Sequence, residues 1–128
     1  MSLSAEIFID KAYIDGRWRD AERRFSVSNP ATGETLASVP DLTADDARDA
    51  VAAAEAAWPA WRRQTAKQRA ALLRAWFDAI MAHQESLARL MTLEQGKPLA
   101  ESRGEVAYGA SFVEFYAEEA KRMAGETL

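Results

Sequence analysis

The sequence contains no cysteine. That excludes a disulfide framework, a thiolate nucleophile and a thiolate metal site among these residues. Histidine is nearly as scarce. His83 is the single one, so a histidine-rich metal cluster is excluded. A Ser-His-Asp triad would have to run through His83. No segment approaches the roughly 20 apolar residues of a membrane span. The start, Met1 to Glu6, lacks the basic region of a secretory signal. The expected location is the cytoplasm.

Excess positive charge is also lacking. The net charge is -4 and the pI about 5.1, so neither nucleic acid nor an anionic membrane is an expected partner. What remains suits a soluble globular chain. Of 128 residues, 48% are hydrophobic and 28% charged, enough to build one core.

Two β-hairpins come first. Ala12-Tyr13-Ile14 and Arg17-Trp18-Arg19 flank Asp15-Gly16, a pair suited to a turn with positive φ at both positions. Phe25–Ser28 and Thr35–Val39 flank the turn formers from Asn29 to Glu34. After Pro40 the pattern becomes helical. Thr43 starts a helix with Asp45 and Asp46 in its first turn. Ala47, Val51, Ala54 and Trp58 share one face of it, and Pro59 is expected to close it. Thr65 and Gln68 form a capping box for the next helix. Its apolar positions are Leu72, Leu73, Trp76, Phe77, Ile80 and Met81. A short third helix carries Leu87, Leu90 and Met91, and ends at Gly96 ahead of Pro98. The last helix is expected from Leu99 to Ala124, with Gly125 as its stop. The fold class is therefore mostly α with N-terminal β-hairpins (α+β). Hairpins over 7–39 and helices over 43–125 read as one continuous layer structure, a single domain or fragment spanning 1–128.

Motifs for chemistry are mostly missing. The six glycines form neither G-x-G-x-x-G nor G-x-x-x-x-G-K-[ST]. Gly96-Lys97 resembles the tail of a phosphate loop only superficially, and a helix stop explains it better. Glu118-Glu119 and Asp45-Asp46 are adjacent on helices, so each pair points about 100° apart and does not share a proton. Glu101 and Glu105 can share a face, which is best read as a solvated one. His83 stands where a helix end favours it. Trp18, Trp58, Trp61 and Trp76 are expected as core and interface mass. Arg62, Arg63, Lys67, Arg69 and Arg74 fall on the polar side of their helices. Small residues gather at Ala107, Gly109, Ala110 and Ser111, for close helix packing or for close approach of a ligand; packing is the simpler account.

The order of segments says more than any one of them. Tyr13-Ile14-Asp15-Gly16-Arg17-Trp18, the Val27–Glu34 turn, AAAEAAWPAW over 52–61 and Leu93-Glu94-Gln95-Gly96-Lys97-Pro98-Leu99 follow one another. That succession resembles the opening of the aldehyde dehydrogenase superfamily. GEVAYGASFVEFYAEEAK over 104–121 is most similar to the succinate-semialdehyde dehydrogenase branch.

The resemblance implies the N-terminal part of the cofactor-binding domain of that α/β fold, without its central parallel sheet. It implies a parent enzyme that oxidises succinate semialdehyde to succinate with NAD or NADP and assembles as a homo-oligomer. The family's nucleophile, base, oxyanion donor and nucleotide site would all lie beyond the equivalent of Leu128. No catalytic or cofactor-binding residue is then expected here, no cofactor is expected on these residues alone, and the chain alone should be inactive. Two roles carry over. A structural monovalent cation would be held by the Val27 carbonyl and Glu94. One face of the last helix, with Gly104, Tyr108 and Phe112, would line the tunnel for the small-molecule aldehyde. A second reading is a self-associating helical interaction module with no catalytic activity.

Overall fold

The computed structural model describes residues 7–122 and Gly125. Its elements run β1 Ala12–Ile14, β2 Arg17–Arg19, β3 Arg24–Ser28, β4 Thr35–Pro40, α1 Ala44–Arg62, α2 Ala66–Ala82, α3 Gln84–Gln95 and α4 Leu99–Glu119. The class is as read from the sequence: mostly helical, with small antiparallel hairpins. Among the described residues the strands form two separate two-stranded sheets, β1-β2 and β3-β4.

The chain divides into two compact units. One comprises the chain up to Arg63 together with Leu93–Gly96; the other comprises Gln64–Thr92 and the chain from Lys97 on.

In the first unit, Asp15 and Gly16 take φ of 53° and 72°, as a two-residue hairpin turn of matching twist requires. Tyr13 pairs with Trp18 across the strands, and their ring centroids lie 5.0 Å apart. In the second hairpin the Asn29 side chain accepts from the Ala31 N–H at 2.9 Å. The Gly33 N–H donates to the Asn29 carbonyl at 2.8 Å, closing the turn. A bulge falls between Val27 and Ser28.

Helix α1 opens on a full capping box. The Asp46 N–H donates to Thr43 Oγ1, and the Asp46 carboxylate accepts from the Thr43 N–H at 2.9 Å. Asp46 therefore caps the helix as well as facing its dipole. Arg19 ties the first hairpin to this helix through Asp46 at 3.4 Å and Asp49 at 2.9 Å.

Two expectations for the helices are corrected. Pro59 does not close α1, which continues to Arg62. Proline in a last turn forfeits one backbone bond and leaves the following N–H groups free to complete the turn. The stripe of Ala47, Val51, Ala54 and Trp58 shares one face of α1, as read from the sequence; the helix buries none of its residues, and Val51 is 69% exposed. Helix α4 ends at Glu119, not at Ala124. There the Lys121 and Arg122 N–H groups bond to the carbonyls of Glu118 and Glu119, a tightened three-residue spacing that terminates the α pattern. Ala124 itself lies outside the described residues.

In the second unit, α2 packs on α4. Thr65 and Gln68 form the expected box. Arg74 of α2 reaches Glu114 at 2.8 Å and Glu118 at 2.9 Å on α4. Arg103 of α4 reaches Glu85 of α3 at 2.7 Å. The Ser102 hydroxyl is fully buried and meets Thr92 Oγ1 at 2.9 Å, which satisfies it. The core is thin. Among the described residues the buried apolar ones are Ile14 and Leu93 in the first unit, and Val106 and four alanines in the second. Trp18, Trp58 and Trp76 are each more than half exposed, so the expectation that the tryptophans form core fails for these three.

Candidate functional site: the outward face of helix α4

Helix α4 carries two unlike faces. Ser102, Val106, Ala110 and Ala117 are buried. Their small side chains let α4 lie close to its neighbours, so the cluster of small residues serves packing at Ala110. At about 3.6 residues per turn, Tyr108, Phe112, Phe115 and Tyr116 fall on the opposite side. All four are exposed, Tyr108 by 66%. A helix that is apolar on both sides ordinarily lies between two layers.

The rings are ordered among themselves. Tyr108 and Phe112 meet edge to face with centroids 4.9 Å apart. Phe115 and Tyr116 do the same at 5.3 Å, the arrangement that aromatic quadrupoles favour. Ser111 Oγ donates to the Tyr108 carbonyl at 2.7 Å. An open groove of about 540 Å³ is lined by Ser111, Phe112, Glu114, Phe115 and Tyr116. Gly104 stands on the same side, one turn before Tyr108, and a Cβ there would meet nothing within 4 Å. The three residues singled out from sequence, Gly104, Tyr108 and Phe112, thus share one outward surface. Phe115 and Tyr116 extend it. Counting steps of 3.6 from Tyr108 along the sequence would have found them.

Val27 and Glu94 both belong to the first unit. Val27 stands at the bulge of β3, where the strand ladder is interrupted and a carbonyl is less committed to its partner. Glu94 is an exposed residue near the end of α3. Two residues on, Gly96 takes φ of 73°, and a Cβ there would lie 3.1 Å from Pro30 Cγ. The end of α3 therefore abuts the turn that follows Val27. A carbonyl and a carboxylate are hard oxygen donors suited to a monovalent ion. Among the described residues no group of three or more His, Cys, Asp or Glu side chains gathers.

The carboxylates whose titration is shifted serve structure in each unit. The Glu85 carboxyl is held below its ordinary value chiefly by the hydrogen bond from Arg103. Glu118 is lowered by hydrogen bonds from Lys121 and then Arg74. Asp46 is lowered first by the backbone N–H of Thr43. Each is a satisfied ion pair or cap with an acceptor already engaged, unlike a general base poised for a substrate. His83 caps α2, and its backbone N–H donates to the Ala79 and Ile80 carbonyls. No described helix is long and apolar enough to cross a membrane.

Residues 18–128 match the model of the aldehyde dehydrogenase family. The chain belongs to that family. It is 55% identical to glutarate-semialdehyde dehydrogenase of Pseudomonas aeruginosa, over 97% of this chain and 26% of that protein. It is 54% identical to the NADP(+) succinate-semialdehyde dehydrogenase of Escherichia coli, over the same shares. The crystal structure of succinate-semialdehyde dehydrogenase from Burkholderia pseudomallei superposes with a TM-score of 0.94 at 50% identity, covering 99% of this chain and 27% of that one. The chain thus spans about a quarter of the length of these aldehyde dehydrogenases.

Proposed function

We propose that this chain forms the N-terminal part of an NAD(P)-dependent aldehyde dehydrogenase that oxidises a semialdehyde bearing a terminal carboxylate, succinate semialdehyde or its glutarate homologue. The observation that carries this is more than 50% identity, over nearly the whole chain, to enzymes named for those two substrates. The enzyme is read as a cytoplasmic homo-oligomer.

Within it, the chain supplies part of the cofactor-binding domain and no reacting group. Hydride transfer needs a bound nicotinamide, and thioester chemistry needs a thiolate. The sequence has no cysteine. Among the described residues no glycine stands between a strand and a helix start, the place where a dinucleotide phosphate is cradled. Gly104 and Gly109 lie inside α4. The cofactor does not fit these residues, and its site belongs elsewhere in the enzyme.

The role left to this chain is passage and support. Tyr108 and Phe112 wall the path of the aldehyde and keep water from it, while Gly104 leaves width beside them. The Val27 carbonyl and Glu94 hold a structural monovalent cation that braces β3 against the end of α3.

A chimera tests the reading. This chain replaces the matching quarter of the Pseudomonas aeruginosa relative, and turnover is followed with both semialdehydes and both NAD and NADP. The chimera should oxidise at least one of them, and the 128-residue chain alone should oxidise neither. Turnover by the chain alone, or a soluble folded chimera without turnover, refutes the assignment. Tyr108→Ala in the chimera should raise KM for the aldehyde more than it lowers kcat. For the cation, Glu94→Ala should abolish any dependence of Tm on potassium or sodium.

A further inference from the structure

The turn of the first hairpin holds a reactive pair outside the aldehyde path. Asp15-Gly16 is the single Asp-Gly step in the sequence, and both residues are exposed. Among the described residues no donor engages the Asp15 carboxylate, so it is free to turn back on its own backbone. The next amide belongs to a glycine, and no β-carbon shields its nitrogen. Ile14 pairs directly with Arg17. The bonds of this two-residue turn therefore fall to those flanking residues and leave the Gly16 N–H outside the ladder.

The backbone favours a reaction between the two. In an L residue the Cβ stands about 120° from the nitrogen around the Cα–C bond, so the side-chain carboxyl and the next nitrogen close a five-membered ring at ψ of about −120°. The first central residue of a type II′ turn has φ of about +60° and ψ of about −120°. Asp15 already has φ of 53°, and with Gly16 at 72° the turn is of the other primed type, I′. One flip of the Asp15–Gly16 peptide interconverts the two types, and both match the twist of the strands. The ring geometry is thus reached without unfolding the hairpin. An open cleft of about 380 Å³ beside Asp15 admits water. Other candidates lack this combination. Asp20 Oδ1 already accepts from the Ala21 N–H at 2.9 Å. Asp45, Asp46 and Asp49 lie in α1, where ψ is about −42°. Asn29 precedes Pro30, which has no N–H.

We infer that Asp15 is a self-modification site, converted to isoaspartate through a cyclic imide. The Gly16 nitrogen attacks the side-chain carboxyl carbon of Asp15. An N–C bond forms, the C–OH bond breaks, and the amide proton leaves with the hydroxyl as one water. Water then adds to the main-chain carbonyl of the ring and breaks its bond to the nitrogen. The main chain now runs through the side-chain carboxyl carbon and is longer by one methylene. Water is the only co-reactant, and no electrons change hands. A two-residue turn does not absorb the added atom, so the Tyr13–Trp18 pairing, with ring centroids 5.0 Å apart, is lost.

The experiment holds the 128-residue chain near neutral pH, folded and in urea. Mass spectrometry with electron-transfer fragmentation, which separates isoaspartate from aspartate, follows the fragment spanning 12–17. Isoaspartate should form faster at Asp15 than at any other aspartate. The folded rate should lie within about tenfold of the rate in urea, a spread of about 1.4 kcal/mol in barrier. Asp15→Asn closes the same ring with release of ammonia in place of water, and should raise the folded rate by about tenfold or more. Asp15→Glu would need a six-membered ring and should stop the reaction, holding Trp18 emission constant while that of the unaltered chain drifts. A folded rate more than about tenfold below the rate in urea would mean that the ring forms only after unfolding. That result, no isoaspartate at Asp15, or conversion as fast at another aspartate would each overturn the proposal. Isoaspartate is read without aldehyde or cofactor, so the result stands apart from turnover of the chimera.

Discussion

Gly96 and Pro30 stand in close apposition: a Cβ on Gly96 would lie 3.1 Å from the Pro30 ring, at a φ of 73°. The helix end and the hairpin turn therefore approach so closely that a side chain on Gly96 would have to displace the Pro30 ring by a few tenths of an ångström. Gly96→Ala faces both left-handed strain, about 1–2 kcal/mol, and displacement of Pro30. Gly33 has a φ of 75° but nothing within 4 Å of a Cβ, so Gly33→Ala carries the strain alone. Thermal unfolding should show Gly96→Ala as the more destabilised of the two, by several degrees. Equal losses would mean that the Pro30 contact contributes nothing.

The glycines inside α4 predict the opposite sign. Gly109 is exposed, in a helix interior, and a Cβ there meets nothing within 4 Å. Gly109→Ala should stabilise the chain by about 0.5–1 kcal/mol, seen as a higher urea midpoint at unchanged slope. Gly104→Ala should stabilise by a similar amount. In the chimera it should also raise KM for the aldehyde, whereas Gly109→Ala should not.

The two capping boxes are separable. Thr43→Ala and Thr65→Ala should each cost about 1 kcal/mol. Each box lies in a different compact unit. Hydrogen exchange should therefore show faster exchange in the first turn of α1 for one variant and of α2 for the other. Loss of protection in both helices from either change would contradict that separation.

Acid should loosen the structure through specific carboxylates. Glu85, Glu118 and Asp46 all titrate lower in the folded chain than their ordinary values of 4.5, 4.5 and 3.8. A depressed folded pKa stabilises above the unfolded value, and the benefit is lost as pH falls through the folded one. The melting temperature should be flat near neutrality and decline below about pH 4.5. These groups are solvent-accessible, so each contribution is small. In Glu85→Gln combined with Glu118→Gln the decline should be shallower. An unchanged slope would remove the ion pairs to Arg103 and Arg74 as its source.

Much of this was readable along the chain because it is local. The Asp15-Gly16 turn, the Thr65 box and the Gly96 stop each depend on a few neighbouring residues, and all three stand where the sequence places them. The errors arose where distance matters. Pro59 signals a break, but the cost of one missing bond in a last turn is small enough for the helix to pass through it. Ala120 carries no stop signal, yet α4 ends before it. The outward stripe of α1 has the period of a buried face, and period alone does not say whether a second layer covers it. For the site, Gly104, Tyr108 and Phe112 came from family resemblance. Their shared outward surface, and the addition of Phe115 and Tyr116, came from the fold.

By itself the sequence determined the elements, their caps and turns, the family, and the want of a thiolate, since those depend on residue identity and near-neighbour spacing. Only the tertiary structure decided which side of α4 is buried. Small residues at Ser102, Val106, Ala110 and Ala117 are taken up by close packing, and the larger, more apolar rings are left outward. Hydrophobicity alone ranks those faces the other way, because burial follows from which neighbour can approach closely enough and not from the apolar content of a face.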